Sequence, residues 1–451
     1  MTLPPKPQSR PPKVSLWRYA RLFRKDILSA QPAKLYRAWM AEFRTVFFRS
    51  YLLNQPDLVK TVLNQRPDDF PKSDRVGEGL RPLLGNSVFL TNGEQWKRQR
   101  RIIDPAFEGG RLRDTFPAMW AAAEAAVERL GTLCNDAPIE IEQETSHVAA
   151  DVIFRTLFSI PIEHKTANQV FNQFRAYQRT QPILNLAAFF PVPGWVPRFF
   201  KSKTKRTARE IRSLIAELTR ERMAKIESRT APDDLATKIM TMADPVTGET
   251  FSTEEMVDQV AIFFLAGHET SASALAWSLY LMALFPEWQE RLAREADILE
   301  DVDFTIVSKL KLSKDVFRET LRLYPPVPMM VRENRCPEHF RDRDIKPGSQ
   351  MVISPWHLHR HERLWDNPDA FDPGRWATEN GKQCQREAFI PFSSGPRVCT
   401  GAGFAMVEGP LILSKVLKHF RFEIVEERTP VPVAHLTVRA RDGIWLKISR
   451  R

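Results

Sequence analysis

Cysteine is scarce in this chain. There are four in 451 residues, Cys134, Cys336, Cys384 and Cys399, and no two form a C-x-x-C pair. That excludes a disulfide framework or a zinc site of paired thiolates, and it fits a reducing compartment. Glycine is sparse too, 18 in all. No G-x-G-x-x-G or phosphate-loop run occurs, so a dinucleotide or nucleotide fingerprint is missing. No period of 20–50 residues recurs, which excludes a repeat array. The N-terminus, MTLPPKPQSRPPKVSLWRYARLFRK, has no apolar stretch of the secretory kind. The longest apolar run, 261–285, contains His268 and Glu269. A charge at the centre of a lone membrane helix is costly, so this run reads as a buried helix of a soluble protein.

What is present is a long chain of ordinary globular composition, 43% hydrophobic and 27% charged. It can bury a large core. Lys and Arg outnumber Asp and Glu by 66 to 55, a net charge of +11. Such an excess draws nucleic acid, an anionic membrane surface or an acidic protein. No zinc finger, RNP motif or basic zipper accompanies it, so nucleic acid is not an expected partner.

Residues 1–30 read as a basic, proline-rich, partly flexible leader, and 31–451 as one domain. Pro4, Pro5, Pro7, Pro11 and Pro12 break regular structure at the start. Residues 45–63 suit a short strand or two and then a helix, while 93–106 and 115–134 are helical by pattern. The run 189–200, FFPVPGWVPRFF, sets three prolines and a glycine among aromatics. It is either a cap on the core or a lid or membrane-touching patch. A basic helix follows over 203–226. Ser252 and Glu255 make an S-x-x-E capping box that opens a helix ending at Phe285, before Pro286. About 33 residues at 1.5 Å each span about 50 Å, so this helix must run through the middle of the protein. Strand-like runs appear at 350–354 and at the chain end.

The strongest local signal is Phe392-Ser393-Ser394-Gly395-Pro396-Arg397-Val398-Cys399-Thr400-Gly401. Cys399 stands at the start of an apolar helix over about 400–418. The unpaired N–H groups and dipole of a helix N-terminus stabilise a thiolate. Gly395 and Gly401 allow close backbone approach to whatever the sulfur binds, and Arg397 can pair with a carboxylate. A nucleophilic cysteine meets part of this pattern but needs a base, and no local protease signature accompanies it. A thiolate ligand to haem iron, with Arg397 on a haem propionate, fits better.

The pattern Phe-x-x-Gly-x-Arg-x-Cys-x-Gly resembles the haem-binding loop of the cytochrome P450 superfamily, and Ala405 matches the small residue that follows it there. Glu319-Thr320-Leu321-Arg322 is similar to that family's ExxR element. Arg375, in Phe371-Asp372-Pro373-Gly374-Arg375-Trp376, then completes a structural triad with Glu319 and Arg322. Trp96 and Arg100 resemble the WxxxR element that reaches a propionate, with Arg332 a further propionate candidate. Ala266-Gly267-His268-Glu269-Thr270 resembles the oxygen-binding groove. Phe263, Ala266, Gly267, Thr270 and Ala274 share one helix face, which close helix packing would also explain. In relatives whose haem is covalently linked, a Glu occupies the place of Ala266, so no such link is expected here.

The resemblance implies a mainly α cytochrome P450 fold: a large helical bundle, a small β-rich region, and haem b buried between. It implies a bacterial-type soluble haem-thiolate monooxygenase, closest in motif style to long-chain fatty-acid hydroxylases. Cys399 is then the iron ligand, with Arg397, Trp96, Arg100, Phe392, Gly395, Gly401, Ala266, Gly267 and Arg332 around the cofactor. Thr270 and Glu269 form an acid–alcohol pair that feeds protons. Phe263, Ala266, Val327, Met329 and Met330 line a substrate pocket suited to a fatty acid, alkane or terpenoid. O2 is the co-substrate. Electrons come from a separate ferredoxin- or flavodoxin-type donor, met by Lys97, Arg98, Arg101 and Arg397. Two alternatives stay open: an enzyme of the same fold using peroxide directly, and a non-enzymatic haem sensor. The expected location is the cytoplasm, with peripheral membrane contact as an option.

Overall fold

The computed structural model describes residues 2–44, 49–135, 137–180, 202–434 and 436–451. Helices dominate, as the long segments of 3.6-residue period require. Those of ten or more residues are α1 (Leu16–Lys25), α2 (Gly93–Ile103), α3 (Arg111–Gly131), α4 (Ile141–Phe158) and α5 (Lys165–Thr180), then α6 (Ser202–Glu227), α7 (Thr253–Leu284), α8 (Pro286–Glu295), α9 (Lys311–Leu323) and α10 (Ala402–His419). The segment 189–200 lies outside the described residues.

The capping box opens α7. Ser252 donates its backbone N–H to Glu255 at 2.9 Å, and its Oγ accepts from the Glu255 N–H at 3.2 Å. Pro286 then ends α7 and serves as the first residue of α8. At 32 residues, α7 is the longest described helix.

The chain forms two compact units, one of Met1–Phe70, Ala123–Val148 and Thr270–Arg451, the other of Pro71–Ala122 and Ala149–Glu269. The first holds a four-stranded sheet of β1 (Met40–Arg44), β2 (Arg49–Leu53), β3 (Met330–Glu333) and β4 (Gln350–Ile353), in the order β1-β2-β4-β3. Only the β2–β4 pairing is parallel. One core gathers Tyr51, Leu53, Met351 and Ile353 around this sheet. Elsewhere in the unit, Trp277 of α7 stacks on Tyr324 at 4.0 Å. Gly409 of α10 lies so close to the Phe317 ring of α9 that a Cβ would collide with it.

The expected leader belongs to the same unit and is tied down. Pro4 and Pro7 are buried. The Tyr324 hydroxyl donates to the Pro5 carbonyl at 2.9 Å, and Lys6 pairs with Asp369 at 2.9 Å. Proline has no N–H to satisfy, so a proline-rich stretch can be buried against side chains without a ladder of its own.

In the second unit, Phe154 of α4 and Phe174 of α5 pack on Phe264 of α7 at 4.6 and 4.8 Å. Ion pairs pin its loops. Arg101 of α2 meets the buried Asp244 at 2.6 Å, and Arg222 meets Asp234 at 2.6 Å.

Candidate active site

Between Met256 and Ala283 of α7, every residue is buried except four. Phe263, Gly267 and Thr270 are half-buried and Ala266 is exposed. These lie at i, i+3, i+4 and i+7, so they form one stripe along an otherwise covered helix. The stripe offers an aromatic ring, two small residues and one hydroxyl. Glu269 is buried beside it. His268 is fully buried, its ring set against Phe171 at 5.5 Å and Phe264 at 5.9 Å. Gly267 has a packing reason of its own, because a Cβ there would collide with Ile153 of α4.

One residue past Thr270, the Ser271 hydroxyl donates to Glu408 of α10 at 2.8 Å. Glu408 is buried, its other carboxylate oxygen has no hydrogen-bond partner among the described residues, and burial pushes its pKa up to about 8. Sequence reasoning missed this pair. Its one signal is position, Ser271 beside Thr270 and Glu408 nine residues past Cys399, and no spacing rule joins residues 137 apart.

The cysteine loop is likewise uncovered. From Pro391 to Gly403 no residue is buried, and Cys399 is exposed. The loop is nonetheless held. The Cys399 N–H donates to Phe392 O at 2.9 Å, the Val398 N–H to Gly395 O at 3.0 Å, and Ser394 Oγ to Asn64 Oδ1 at 2.8 Å. Gly395 has φ +71°, and a Cβ there would collide with the Leu63 carbonyl. The turn and that neighbour both require glycine here. Past the cysteine, Ala402 N–H donates to Cys399 O at 3.2 Å as α10 begins.

In the same unit as the loop sits a buried cluster of charges. Arg322 Nε and Nη2 donate to the two Glu319 oxygens at 2.9 and 2.8 Å, and Arg375 Nε donates to Glu319 at 2.9 Å. The Asp372 N–H adds a fourth bond at 3.0 Å. Arg322 also donates to the carbonyls of His359, Pro368 and Ala370, at 2.9, 2.6 and 2.7 Å. Burial opposes the charge on Glu319, yet the two guanidiniums outweigh it and hold the carboxyl below its usual range. A buried pair survives when further hydrogen bonds offset desolvation, and here they do.

The arginines aimed at a cofactor differ in kind. Arg332 of β3 is buried, its guanidinium bonds the Val331 carbonyl at 3.2 Å, and it has no ion-pair partner among the described residues. Desolvation alone drives its pKa down to about 10. A buried cation without a carboxylate calls for an anion, and a haem propionate is one. Trp96 of α2 is buried, with Arg100 lying over its ring at 5.9 Å and bonded to Asp104 at 2.8 Å. An exposed thiol on a braced loop and a buried cation awaiting an anion both fit haem.

Arg98 pairs with Glu255 at 2.7 Å and Arg101 with Asp244, so both brace α2. Met330 packs against the sheet core and is half-buried, as is Met329, while Val327 is exposed.

The family model for cytochrome P450 matches residues 23–447, and the chain belongs to that family. It is a haem-thiolate monooxygenase, and haem is its cofactor. The chain is 31% identical to human cytochrome P450 4A11, over 88% of this chain and 79% of that one. It is also 31% identical to cyclooctat-9-en-7-ol 5-monooxygenase of Streptomyces melanosporofaciens, over 92% and 88%. Among solved structures, the cytochrome P450DA heme domain superposes with a TM-score of 0.81 at 22% identity, covering 100% of this chain and 99% of that one, a likeness of fold. No helix among the described residues is long and apolar enough to cross a membrane.

Proposed function

We propose that the enzyme hydroxylates or epoxidises an apolar substrate, a fatty acid, alkane or terpenoid, with electrons from a separate ferredoxin- or flavodoxin-type protein. The observation that carries this reading is the open stripe on α7, where Phe263 and Ala266 offer apolar contact beside the Thr270 hydroxyl. The relatives support the substrate class only through a name, since one is named for acting on cyclooctat-9-en-7-ol.

When bound, haem supplies reductive activation of O2 and transfer of one oxygen atom to the substrate. Cys399 would hold the iron through its sulfur, as a thiolate at the start of α10. Arg332, Arg397, Trp96 and Arg100 are the residues that would meet its propionates. Thr270 orients a water through its hydroxyl, and Glu269 passes a proton to that hydroxyl. Ser271 and the protonated Glu408 hold a second proton one residue away. Glu319, Arg322 and Arg375 hold the shape of the cysteine side. The enzyme acts in the cytoplasm, at the periphery of a membrane where apolar substrates collect.

The test has two arms. The reduced, carbon-monoxide-bound protein should show a strongly red-shifted Soret band that Cys399→Ser abolishes. An unchanged band in the variant would sink the thiolate assignment. Fatty acids, alkanes and terpenoid alcohols are then titrated for a Soret shift, and products are compared with a ferredoxin system and with peroxide. Turnover with peroxide alone would overturn the reductive reading.

A further inference from the structure

The positive charge of this protein is gathered at one end. The first 25 residues carry seven Lys and Arg and no Asp or Glu, against a net charge of +11 for the whole chain. Five of the seven lie between Lys13 and Lys25, all exposed and none in an ion pair among the described residues. The first acid, Asp26, does nothing to neutralise them. It is buried, and its carboxylate accepts from the backbone N–H groups of Leu28, Ser29 and Ala434 at 3.0, 2.8 and 2.8 Å.

Helix α1 turns this charge into a surface. Tyr19 packs on Phe43 of β1 at 6.3 Å and on Phe23 at 5.6 Å, which fixes the inner face. At 100° per residue, the opposite arc of about 120° carries Arg24, Trp17, Arg21, Lys25 and Arg18, in that order. All five are exposed, and Trp17 is 88% exposed. An indole left in water between Arg24 and Arg21 of this unpaired cationic arc costs apolar exposure that folding does not relieve.

We infer that this arc of α1 docks the enzyme on an anionic lipid surface, with Trp17 seated at headgroup level. Two physical arguments favour lipid over an acidic protein. An arc about 15 Å long and about 10 Å wide presents on the order of 150 Å², well short of the roughly 800 Å² per partner that a stable protein interface needs. A charged bilayer asks for no matching shape and rewards each Lys or Arg separately, while tryptophan prefers the interface between water and hydrocarbon. The inference rests on the peripheral location proposed above but not on the oxidation chemistry.

The test uses the haem-loaded full chain and vesicles of phosphatidylcholine, with or without phosphatidylglycerol. Binding should require phosphatidylglycerol and weaken as salt rises. Each cation removed should cost about fivefold in affinity, so the triple variant Arg18→Gln, Arg21→Gln, Arg24→Gln should lose about a hundredfold. Headgroup-proximal brominated lipid should quench wild-type fluorescence more than that of Trp17→Phe. The carbon monoxide spectrum of both variants should match wild type, showing an intact fold. If the triple variant binds vesicles as wild type does, or if neutral vesicles bind equally well, the docking surface is wrong. The same holds if no vesicle binds and the triple variant instead loses affinity for an acidic ferredoxin. In each of these cases an intact red-shifted band leaves the oxidation reading standing.

Discussion

Ser271 and Glu408, 137 residues apart in the chain, meet in a hydrogen bond of 2.8 Å that joins α7 to α10 where both residues are buried. Desolvation raises the Glu408 pKa from 4.5 to about 8, against the opposing bond from Ser271. Between these values the folded protein keeps a proton that the unfolded chain has lost. Raising pH therefore opposes folding, by up to about 1.4 kcal/mol per pH unit, beginning above 4.5 and levelling off above about 8. Glu408→Gln removes this term. Denaturation midpoints of wild type and variant should diverge as pH climbs from 5 to 8, with the variant gaining. A constant difference across that range would mean Glu408 is ionised in the fold.

Removing one partner of the Glu319 cluster should be far worse than the salt-bridge count suggests. Arg322→Met leaves a fully buried carboxylate with only Arg375 and the Asp372 N–H and frees the carbonyls of His359 and Pro368. The expected loss is about 3–5 kcal/mol. Haem uptake should fall with it, because the cluster lies on the unit that carries the cysteine loop. Soluble, haem-loaded Arg322→Met with a wild-type melting temperature would remove the cluster from any structural role.

Gly267 separates packing from cofactor contact. Gly267→Ala places a methyl against Ile153, an overpacking that should cost about 1–3 kcal/mol. Adding Ile153→Ala makes room for that methyl. Recovery of the melting temperature in the double variant, beyond the sum of the single changes, marks the pair as the cause. No coupling between the two substitutions would mean that Ile153 is not what requires a glycine there.

Motifs whose logic is local could be read from the sequence. The capping box at Ser252 and Glu255, the stop at Pro286 and the cysteine ahead of α10 each depend on neighbours a few residues away. Contacts between distant segments could not. Nothing near Asp26 in the chain announces a bond to Ala434, and nothing near Arg101 announces Asp244. Gly395 illustrates the difference. Its place in the loop pattern is visible, but the reason for it, the Leu63 carbonyl, belongs to a segment more than 300 residues away. Charge is the hardest case, because the sequence counts Arg98 and Arg101 as open cations while the fold commits both to carboxylates.

Arg332 should show opposite effects with and without haem. The guanidinium is buried, its bond goes to its neighbour's carbonyl, and burial lowers its pKa to about 10. A charge held in this way weakens the fold until an anion meets it. Arg332→Leu, which keeps the apolar bulk, should therefore stabilise the haem-free protein by about 1 kcal/mol or more. The same change should speed haem loss from the loaded protein, since a propionate would face leucine. Chemical denaturation of the haem-free protein and transfer of haem to an acceptor globin measure the two separately. Destabilisation of both forms would show that Arg332 has a protein partner and no part in holding the cofactor. Stabilisation of both would mean that no anion ever reaches it.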